Sequence, residues 1–163
     1  EIIEIARSVR LLTSKYHIPF IINDNVQLTH SVDADGVHLG QGDMAIEEAR
    51  KILGPKKIIG ISTHSPKEAR DAEARGADYI GVGSVFPTTS KENIIGIIGV
   101  KGLKKIRQST KLPVVAIGGI DLSNTAAIVK TGISGIAVIS AIMKSDTPKE
   151  IAQHFRAIID RSG

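Results

Sequence analysis

Six short apolar runs of the sequence each end in residues that can bind a metal ion or a substrate. In chain order these residues are Asn23-Asp24, Gln41 and Asp43, 62–64, 88–91, Gly118-Gly119, and Ser140. In parallel α/β proteins, functional sites gather beyond the carboxyl ends of the strands. If the six runs are parallel strands, we expect these residues to share one site.

Asp24 and Asp43 are carboxylates at the ends of two successive runs, and together they favour a magnesium site. Two nearby carboxylates repel each other unless a cation lies between them, and Mg²⁺ takes one or two protein carboxylates together with water and phosphate oxygens. The alternative interpretation is local, with Asp43 capping the following helix and Asp24 beginning a turn. The matching positions of the two aspartates favour the paired interpretation.

Residues 88–91, Thr-Thr-Ser-Lys, predict a site for phosphate. Hydroxyls and backbone N–H groups donate to phosphate oxygens, and lysine adds a positive charge. The segment AIGGI at 116–120 precedes a predicted helix that begins near Asp121, and its glycines let the backbone approach an anion. An ordinary polar loop and a tight glycine turn are the alternatives.

The five histidines do not predict a metal site, because none of them forms a closely spaced pair of the H-E-x-x-H type. We expect structural or surface roles for them. His38, for example, falls inside a strand. Only His64, which follows a strand end, is a further candidate for function.

The elements that must position these residues alternate between strand and helix. The apolar runs predict strands at 19–24, 36–40, 58–63, 79–85, 113–119 and 135–142. Apolar spacing and capping residues predict helices at 1–17, 44–53, 66–75, 100–109, 122–131 and 148–160. Nearly continuous apolar strands, each followed by a helix, indicate an α/β fold with a parallel sheet that is buried on both faces.

The number of strands raises a question about closure. A (β/α)₈ TIM barrel has eight strands and typically about 250 residues, whereas this sequence has 163 residues and six predicted strands. We predict such a barrel without its first two strands, as one domain over 1–163. An open six-stranded sheet is the alternative, although it would leave strand edges unpaired. In barrel numbering, 113–119 and 135–142 become strands seven and eight, whose loops often bind phosphate.

Composition narrows the classes of function. The sequence is 42% hydrophobic and 23% charged, has a net charge of +4, and contains no cysteine, which excludes disulfides and thiolate metal sites. No apolar run reaches the roughly 18 residues that a membrane span needs. The basic residues are interleaved with acidic ones and aromatics are only 3%, which argues against nucleic-acid binding. We expect a cytoplasmic protein with small-molecule substrates, no nucleic-acid or membrane partner, and a possible homo-oligomeric state.

Three segments resemble the thiamine-phosphate synthase family: PFIINDNVQLTHSVDADGVHLGQGDM, IIGISTHSPKEARDAEARGADYIGVGSVFPTTSK and PVVAIGGI. The resemblance runs from about residue 18 to 142 and keeps the order and spacing of the motifs. It implies a (β/α)₈ fold. It also implies a transferase that joins hydroxymethylpyrimidine pyrophosphate to hydroxyethylthiazole phosphate with Mg²⁺ and releases pyrophosphate. The implied mechanism is dissociative: pyrophosphate leaves first, and the thiazole nitrogen then attacks a pyrimidine-methyl cation.

The resemblance also implies roles for individual residues. Asp24 and Asp43 would hold Mg²⁺, and Lys91 would face the departing pyrophosphate. Asn23 and Ser62 would contact the pyrimidine substrate, and Ser62 and Lys91 are the catalytic candidates. The residues expected to bind the thiazole phosphate are Thr88, Thr89, Ser90, Gly119, Ile139 and Ser140.

The sequence departs from the family pattern in three places. No segment supplies the family's pyrophosphate-binding Gln-x-Arg-x-Lys, Ser90 stands where the family usually has threonine, and the stretch after Lys91 is unusually apolar. Two other functions are therefore considered. A related thiazole tautomerase is an isomerase, but such relatives lose the Mg²⁺ carboxylates that this chain keeps. A non-catalytic ligand-binding fragment of the same barrel is the other alternative.

Overall fold

A six-stranded, fully parallel sheet forms the centre of the protein. The computed structural model describes residues 1–88 and 96–161. The strands are β1 (Ile21–Asn23), β2 (Gly36–Leu39), β3 (Ile58–Thr63), β4 (Tyr79–Val82), β5 (Val114–Ile117) and β6 (Gly135–Ala137). Their order in the sheet is their order in the chain. All six carboxyl ends therefore lie at one edge of a curled half-barrel.

Helices precede, separate and follow the strands. In the described residues they are α1 (Ile2–Lys15), α2 (Val26–Ser31), α3 (Ile46–Leu53), α4 (Pro66–Ala74), α5 (Gly99–Arg107), α6 (Thr125–Val129), α7 (Ser140–Met143) and α8 (Pro148–Asp160). Side chains of Asn25 and Ser65 accept hydrogen bonds from backbone N–H groups of the first turns of α2 and α4, which fixes where these helices begin. Within the described residues, no helix has the length and apolar character needed to cross a bilayer.

The two faces of the sheet differ in burial. The outer face packs against the helices through fully buried side chains such as Ile59, Ile80 and Val114, which meet Leu103 of α5 and Ile128 of α6 in one apolar cluster. The opposite face is less buried. We call it the inner face, and its residues at the centre of β1 to β4 are exposed, partly buried or glycine: Asn23, His38, Gly60, Ser62, Tyr79 and Gly81.

The expectation that both faces are buried is wrong for the described residues. The outer face is buried as expected, because its branched aliphatic side chains pack against the helices. The inner face carries glycine and polar residues, and such short or hydrophilic side chains do not fill the space in front of the sheet.

Most of the predicted helices and strands are confirmed, and most of them are shorter than predicted. All six strands form, and α8 has the predicted bounds of 148–160. The predicted strand 135–142 is wrong beyond residue 137, because Ser140–Met143 is a helix. A short apolar run fits either period, so its sequence could not separate the two. Helix α2 was not predicted, although Asn25 is a capping residue.

The parallel α/β half-barrel is confirmed, whereas an eight-stranded barrel stays a prediction. Helix α1 forms as predicted, but its isoleucine, valine and leucine side chains are exposed to solvent in the described structure. Ile2 is 65% exposed, Leu11 75% and Leu12 59%.

Candidate active site

The described candidate residues all follow strand ends at the same edge of the sheet. Asn23 ends β1, Ser62 lies in the last two residues of β3, and the remaining candidates follow β1, β2, β4, β5 and β6: Asp24, Asp43, Thr88, Gly119, Ile139 and Ser140. Since the strands are parallel and in chain order, this edge gathers them on one side of the molecule. The predicted residues Thr89, Ser90 and Lys91 lie outside the described residues.

A sharp turn at Asp24 presents the end of β1. Asp24 has a φ of 62°, a left-handed conformation that aspartate tolerates better than most residues. Its backbone N–H donates to the carbonyl of His38 at 2.8 Å, and Asn25 N–H donates to the carbonyl of Asn23 at 2.7 Å. Asn23 and Asp24 are both exposed at this turn. A turn at Asp24 is thus observed, and it leaves the carboxylate on the carboxyl edge.

Asp43 does not cap the following helix, so that interpretation is wrong. The N-cap position of α3 is Ala45, which has no side-chain cap. Instead, Asp43 Oδ2 accepts a hydrogen bond from the backbone N–H of Gly40 at 2.6 Å. This bond closes the turn between Gly40 and Asp43 and holds the exposed carboxylate just beyond β2.

Asp24 and Asp43 fit Mg²⁺ as a pair of donors. They are exposed carboxylates after two neighbouring strands, and β1 and β2 pair up to Asn23 and His38. Within residues 1–88 and 96–161, no group of three or more histidine, aspartate or glutamate side chains could hold a metal. A pair of carboxylates is the protein share that Mg²⁺ commonly takes, with water and substrate phosphate completing its shell. The metal site stays a prediction.

A chain of three side chains crosses the inner face of the sheet. The hydroxyl of Tyr79 lies 2.9 Å from Nδ1 of His38, and Nε2 of His38 lies 3.0 Å from Oγ of Ser62. Gln41 binds the backbone of Ser62, because its side-chain Nε2 donates to the carbonyl of Ser62 at 2.6 Å. Ser62 is therefore fixed both at its backbone and at its hydroxyl.

Two glycines make room for this chain. A Cβ atom at Gly60 would lie 2.1 Å from Cζ of Tyr79, and one at Gly81 would lie 2.8 Å from Cε1 of His38. Neither contact is sterically possible without movement of a ring, so β3 and β4 need glycine at these two positions. Burial raises the pKa of Tyr79, which keeps its phenol protonated.

The loops after β4 and β5 are joined to each other. Val85 N–H donates to the carbonyl of Ile117, and Phe86 N–H donates to that of Gly118, each at 3.0 Å. Gly119 has a φ of 62°, and a Cβ atom there would lie 2.4 Å from the carbonyl oxygen of Pro87. Thr88 thus follows a segment that packs directly against the glycine turn, which brings together two of the predicted phosphate-binding positions.

The last candidates lie at the start of α7. Ser140 is the first residue of that four-residue helix and is half-buried, while Ile139 before it is 60% exposed. Both follow β6, the neighbour of β5 in the sheet. They are therefore placed one strand away from Gly119 on the carboxyl edge.

Two histidines have hydrogen-bond partners that the sequence did not indicate. His64 has an acidic partner, since its Nδ1 lies 3.1 Å from Glu68 Oε2, which also accepts its backbone N–H at 2.8 Å. His38 contacts Ser62 and Tyr79 within the sheet, which is compatible with the structural role expected for it, but sequence analysis did not predict these contacts. A signal was present, because alternation along β2 places His38 on the opposite face from the apolar residues Val37 and Leu39.

Known proteins resemble this chain in both sequence and fold. The family model for thiamine monophosphate synthase matches residues 1–142. The thiamine-phosphate synthase of Clostridium novyi is 53% identical over 142 residues, which cover 87% of this chain and 70% of the relative. That of Clostridium botulinum is 49% identical over 154 residues, which cover 94% of this chain and 75% of the relative.

A solved structure gives the same result. The thiamine phosphate pyrophosphorylase from Pyrococcus furiosus superposes with a TM-score of 0.89 at 46% identity, covering 98% of this chain and 76% of that one. The chain thus spans about three quarters of the length of these relatives. The family match and the identity both extend over most of the sequence, and the chain belongs to the thiamine monophosphate synthase family.

Proposed function

We propose that the protein joins hydroxymethylpyrimidine pyrophosphate to hydroxyethylthiazole phosphate and forms thiamine phosphate and pyrophosphate. One observation carries this proposal. The carbonyl of His38 accepts the Asp24 N–H, and the ring of the same residue reaches Ser62. A residue expected to hold Mg²⁺ and a residue expected to contact the pyrimidine are therefore held together through β2.

The reaction exchanges one bond for another. The bond between the pyrimidine methylene carbon and the pyrophosphate oxygen breaks, and its electron pair leaves with pyrophosphate. The thiazole nitrogen then supplies the pair for a new carbon–nitrogen bond. This order needs stabilisation of the leaving charge rather than a protein nucleophile.

The residues of the carboxyl edge divide this work. Asn23 and Ser62 bind the pyrimidine, and Lys91 balances the charge of the departing pyrophosphate. Mg²⁺ held by Asp24 and Asp43 supplies further electrostatic stabilisation of that group. The residues proposed to seat the thiazole phosphate are Thr88, Thr89, Ser90, Gly119, Ile139 and Ser140. The joined loops after β4 and β5 support this seat.

The proposal extends to the setting of the site. The substrates are small charged phosphate esters, which do not cross membranes, and this supports a cytoplasmic enzyme without nucleic-acid or membrane partners. We place residues 1–163 in one domain and assign the six strands to the last six positions of a (β/α)₈ barrel. The described sheet is compatible with this assignment, because β1 and β6 each pair on one side only and further strands could pair with their other sides.

The direct test of the metal-binding role is Asp24→Asn, measured by kcat for thiamine phosphate formation with saturating Mg²⁺. Removing the charge should lower kcat at least about 100-fold, because the leaving group loses its stabilisation. The matched control is Asp33→Asn. Asp33 is an exposed aspartate that also has a positive φ, 51°, but lies before β2, at the opposite edge, and pairs with Lys57.

The control variant should keep its activity, and both variants should unfold at similar urea concentrations. Full activity of Asp24→Asn would remove Asp24 from the metal site. Equal losses in the two variants would show a general effect of aspartate replacement on the fold.

A further inference from the structure

The chain of side chains from Tyr79 through His38 to Ser62 has a direction. A neutral imidazole has one N–H donor and one bare nitrogen acceptor. Because Nδ1 faces Tyr79 and Nε2 faces Ser62, the tautomer of His38 decides the direction of both hydrogen bonds. The same choice decides whether the hydrogen of the Ser62 hydroxyl is donated to His38 or is free for whatever binds in front of it.

The Tyr79 end of the chain selects one direction. If Nδ1–H donated to the phenol oxygen, the phenol hydrogen would need another acceptor. In the described part of the chain, His38 is the only hydrogen-bond partner of the Tyr79 hydroxyl. That hydroxyl is half-buried on the inner face, where an unused hydrogen costs stability.

The opposite direction uses every hydrogen of the chain. The phenol of Tyr79 donates to Nδ1, which is favourable because the lone pairs of a phenol oxygen are partly delocalised into its ring. Nε2 of His38 then carries the proton and donates to Ser62 Oγ. The only hydrogen left over is that of the Ser62 hydroxyl, which lies nearest the carboxyl edge.

We propose that Tyr79 and His38 are positioning residues that keep the hydrogen of the Ser62 hydroxyl free to be donated to the bound substrate. This inference rests on the proposed function in one respect, that Ser62 faces the pyrimidine half. The substrate atom that it recognises is then an acceptor, such as a ring nitrogen of an aminopyrimidine.

The construction of the inner face supports a dedicated role for this chain. Gly60 and Gly81 lie beneath the two rings, and any larger residue at either position would displace a ring. The two rings are also in aromatic contact, tilted by 37° with centroids 5.4 Å apart, so the hydrogen bond and the ring contact together hold their relative orientation. Gln41 fixes the Ser62 backbone independently.

The first test is spectroscopic and needs no substrate. In protein labelled with ¹⁵N-histidine at about pH 8.5, where an ordinary imidazole is neutral, the His38 signals should report a proton on Nε2. Loss of these signals in His38→Gln assigns them among the five histidines. Tyr79→Phe removes only the hydroxyl. It should abolish the preference for a proton on Nε2 of His38 and give a mixture of the two tautomers. A proton on Nδ1 in the wild type overturns the proposal, as does an unchanged preference in Tyr79→Phe.

The second test separates positioning from folding. Tyr79→Phe should raise the KM for the pyrimidine substrate about fivefold, which corresponds to about 1 kcal/mol for one hydrogen bond, and leave the KM for the thiazole phosphate unchanged. The matched control is Tyr16→Phe at the other tyrosine, which is 60% exposed next to α1. It should change neither constant.

A double variant completes the test. If Tyr79 acts through Ser62, then Tyr79→Phe should add little to the KM effect of Ser62→Ala. Additive effects, or equal changes in both KM values, assign Tyr79 a structural role and overturn the proposal. Absence of any thiamine phosphate from the wild type would contradict the proposed function alone, because the tautomer of His38 is measured without a substrate.

Discussion

Thr63 lies next to Ser62 on β3 but on the outer face, and it is fully buried. Its Oγ1 has no hydrogen-bond partner among the described residues. Removing an unsatisfied buried hydroxyl without changing the shape of the side chain is favourable, so Thr63→Val should raise the free energy of unfolding by about 1 kcal/mol. Urea unfolding followed by circular dichroism measures this change.

A buried threonine with satisfied bonds provides the comparison. Thr110 Oγ1 donates to Glu73 at 2.6 Å and accepts from the Leu112 N–H at 3.1 Å. Thr110→Val should therefore lower the free energy of unfolding by about 1–3 kcal/mol. A loss of stability in both variants would show that the Thr63 hydroxyl does have a partner in solution.

At the scale of residues, the sequence predicted positions better than interactions. The positions of Asp24, Asp43 and Ser62 at strand ends were predicted correctly, because the alternation of strands and helices fixes where each strand ends. The same reasoning passed over His38 and Tyr79, since both lie inside strands and their contact depends on how β2 and β4 approach each other across Gly60. That approach is a property of the sheet and not of any local motif.

At the scale of elements, Asp121 holds the turn that leads from β5 into α6. Its Oδ1 accepts hydrogen bonds from the Ser123 hydroxyl at 2.6 Å and from the N–H groups of Ser123 and Asn124 at 2.8 and 3.1 Å. The Ser123 hydroxyl, helped by these backbone donors, lowers the pKa of Asp121 from its ordinary value of 3.8. The stabilisation that follows is present above that value and is lost as the pH falls through the lower, folded-state pKa.

Asp121→Ala should therefore lower the free energy of unfolding by about 1 kcal/mol at pH 7, because the donors of Ser123 and Asn124 lose their acceptor. The difference from the wild type should shrink as the pH is lowered below 3.8, where the unfolded-state carboxyl is already protonated. Urea unfolding over a pH series measures it. Asp121→Asn, which still accepts hydrogen bonds but does not titrate, should lose less at pH 7. A difference that is constant with pH would contradict the assigned cause.

Whether a segment is helix or strand was predictable where its apolar pattern was long. Helix α8 was predicted to the residue, because its apolar spacing repeats over several turns. Helices α2 and α7 were missed or taken for strand, because six and four residues do not define a period. Whether these two helices form depends on packing against neighbouring elements, and the local sequence does not show which elements those are.

At the scale of the whole molecule, several large apolar side chains on and next to α1 are exposed to solvent. The most exposed of them are Ile2, Ile5, Leu11, Leu12 and Ile18. Exposed apolar faces of this kind, together with strand edges, promote association. We expect the 163-residue protein to self-associate in sedimentation velocity as its concentration rises.

Replacing Leu11 and Leu12 by lysine should reduce this association without loss of helix content, because both side chains lie outside the core. Arg7→Lys on the same helix keeps both size and charge and is the matched control. A wild-type protein that stays monomeric at every concentration would contradict the prediction.

Family and activity were predictable at this scale, whereas closure of the barrel and the roles of residues 89–91 stay predictions. The resemblance seen in the motifs is confirmed by the family match, and with it a transferase of thiamine biosynthesis. The isomerase and the non-catalytic fragment are not favoured by these relatives. Closure of the barrel depends on strands that would pair with β1 and β6, and the roles of 89–91 depend on residues outside the described structure, so both stay predictions.

The most direct test of the central claim is the formation of thiamine phosphate from the two phosphorylated substrates, measured with Mg²⁺ and again with excess EDTA. With Mg²⁺, thiamine phosphate and pyrophosphate should appear in equal amounts. EDTA should abolish both, and added Mg²⁺ should restore them, because two carboxylates alone leave the pyrophosphate charge unbalanced. No product from the folded protein, or product that EDTA does not diminish, would contradict the account.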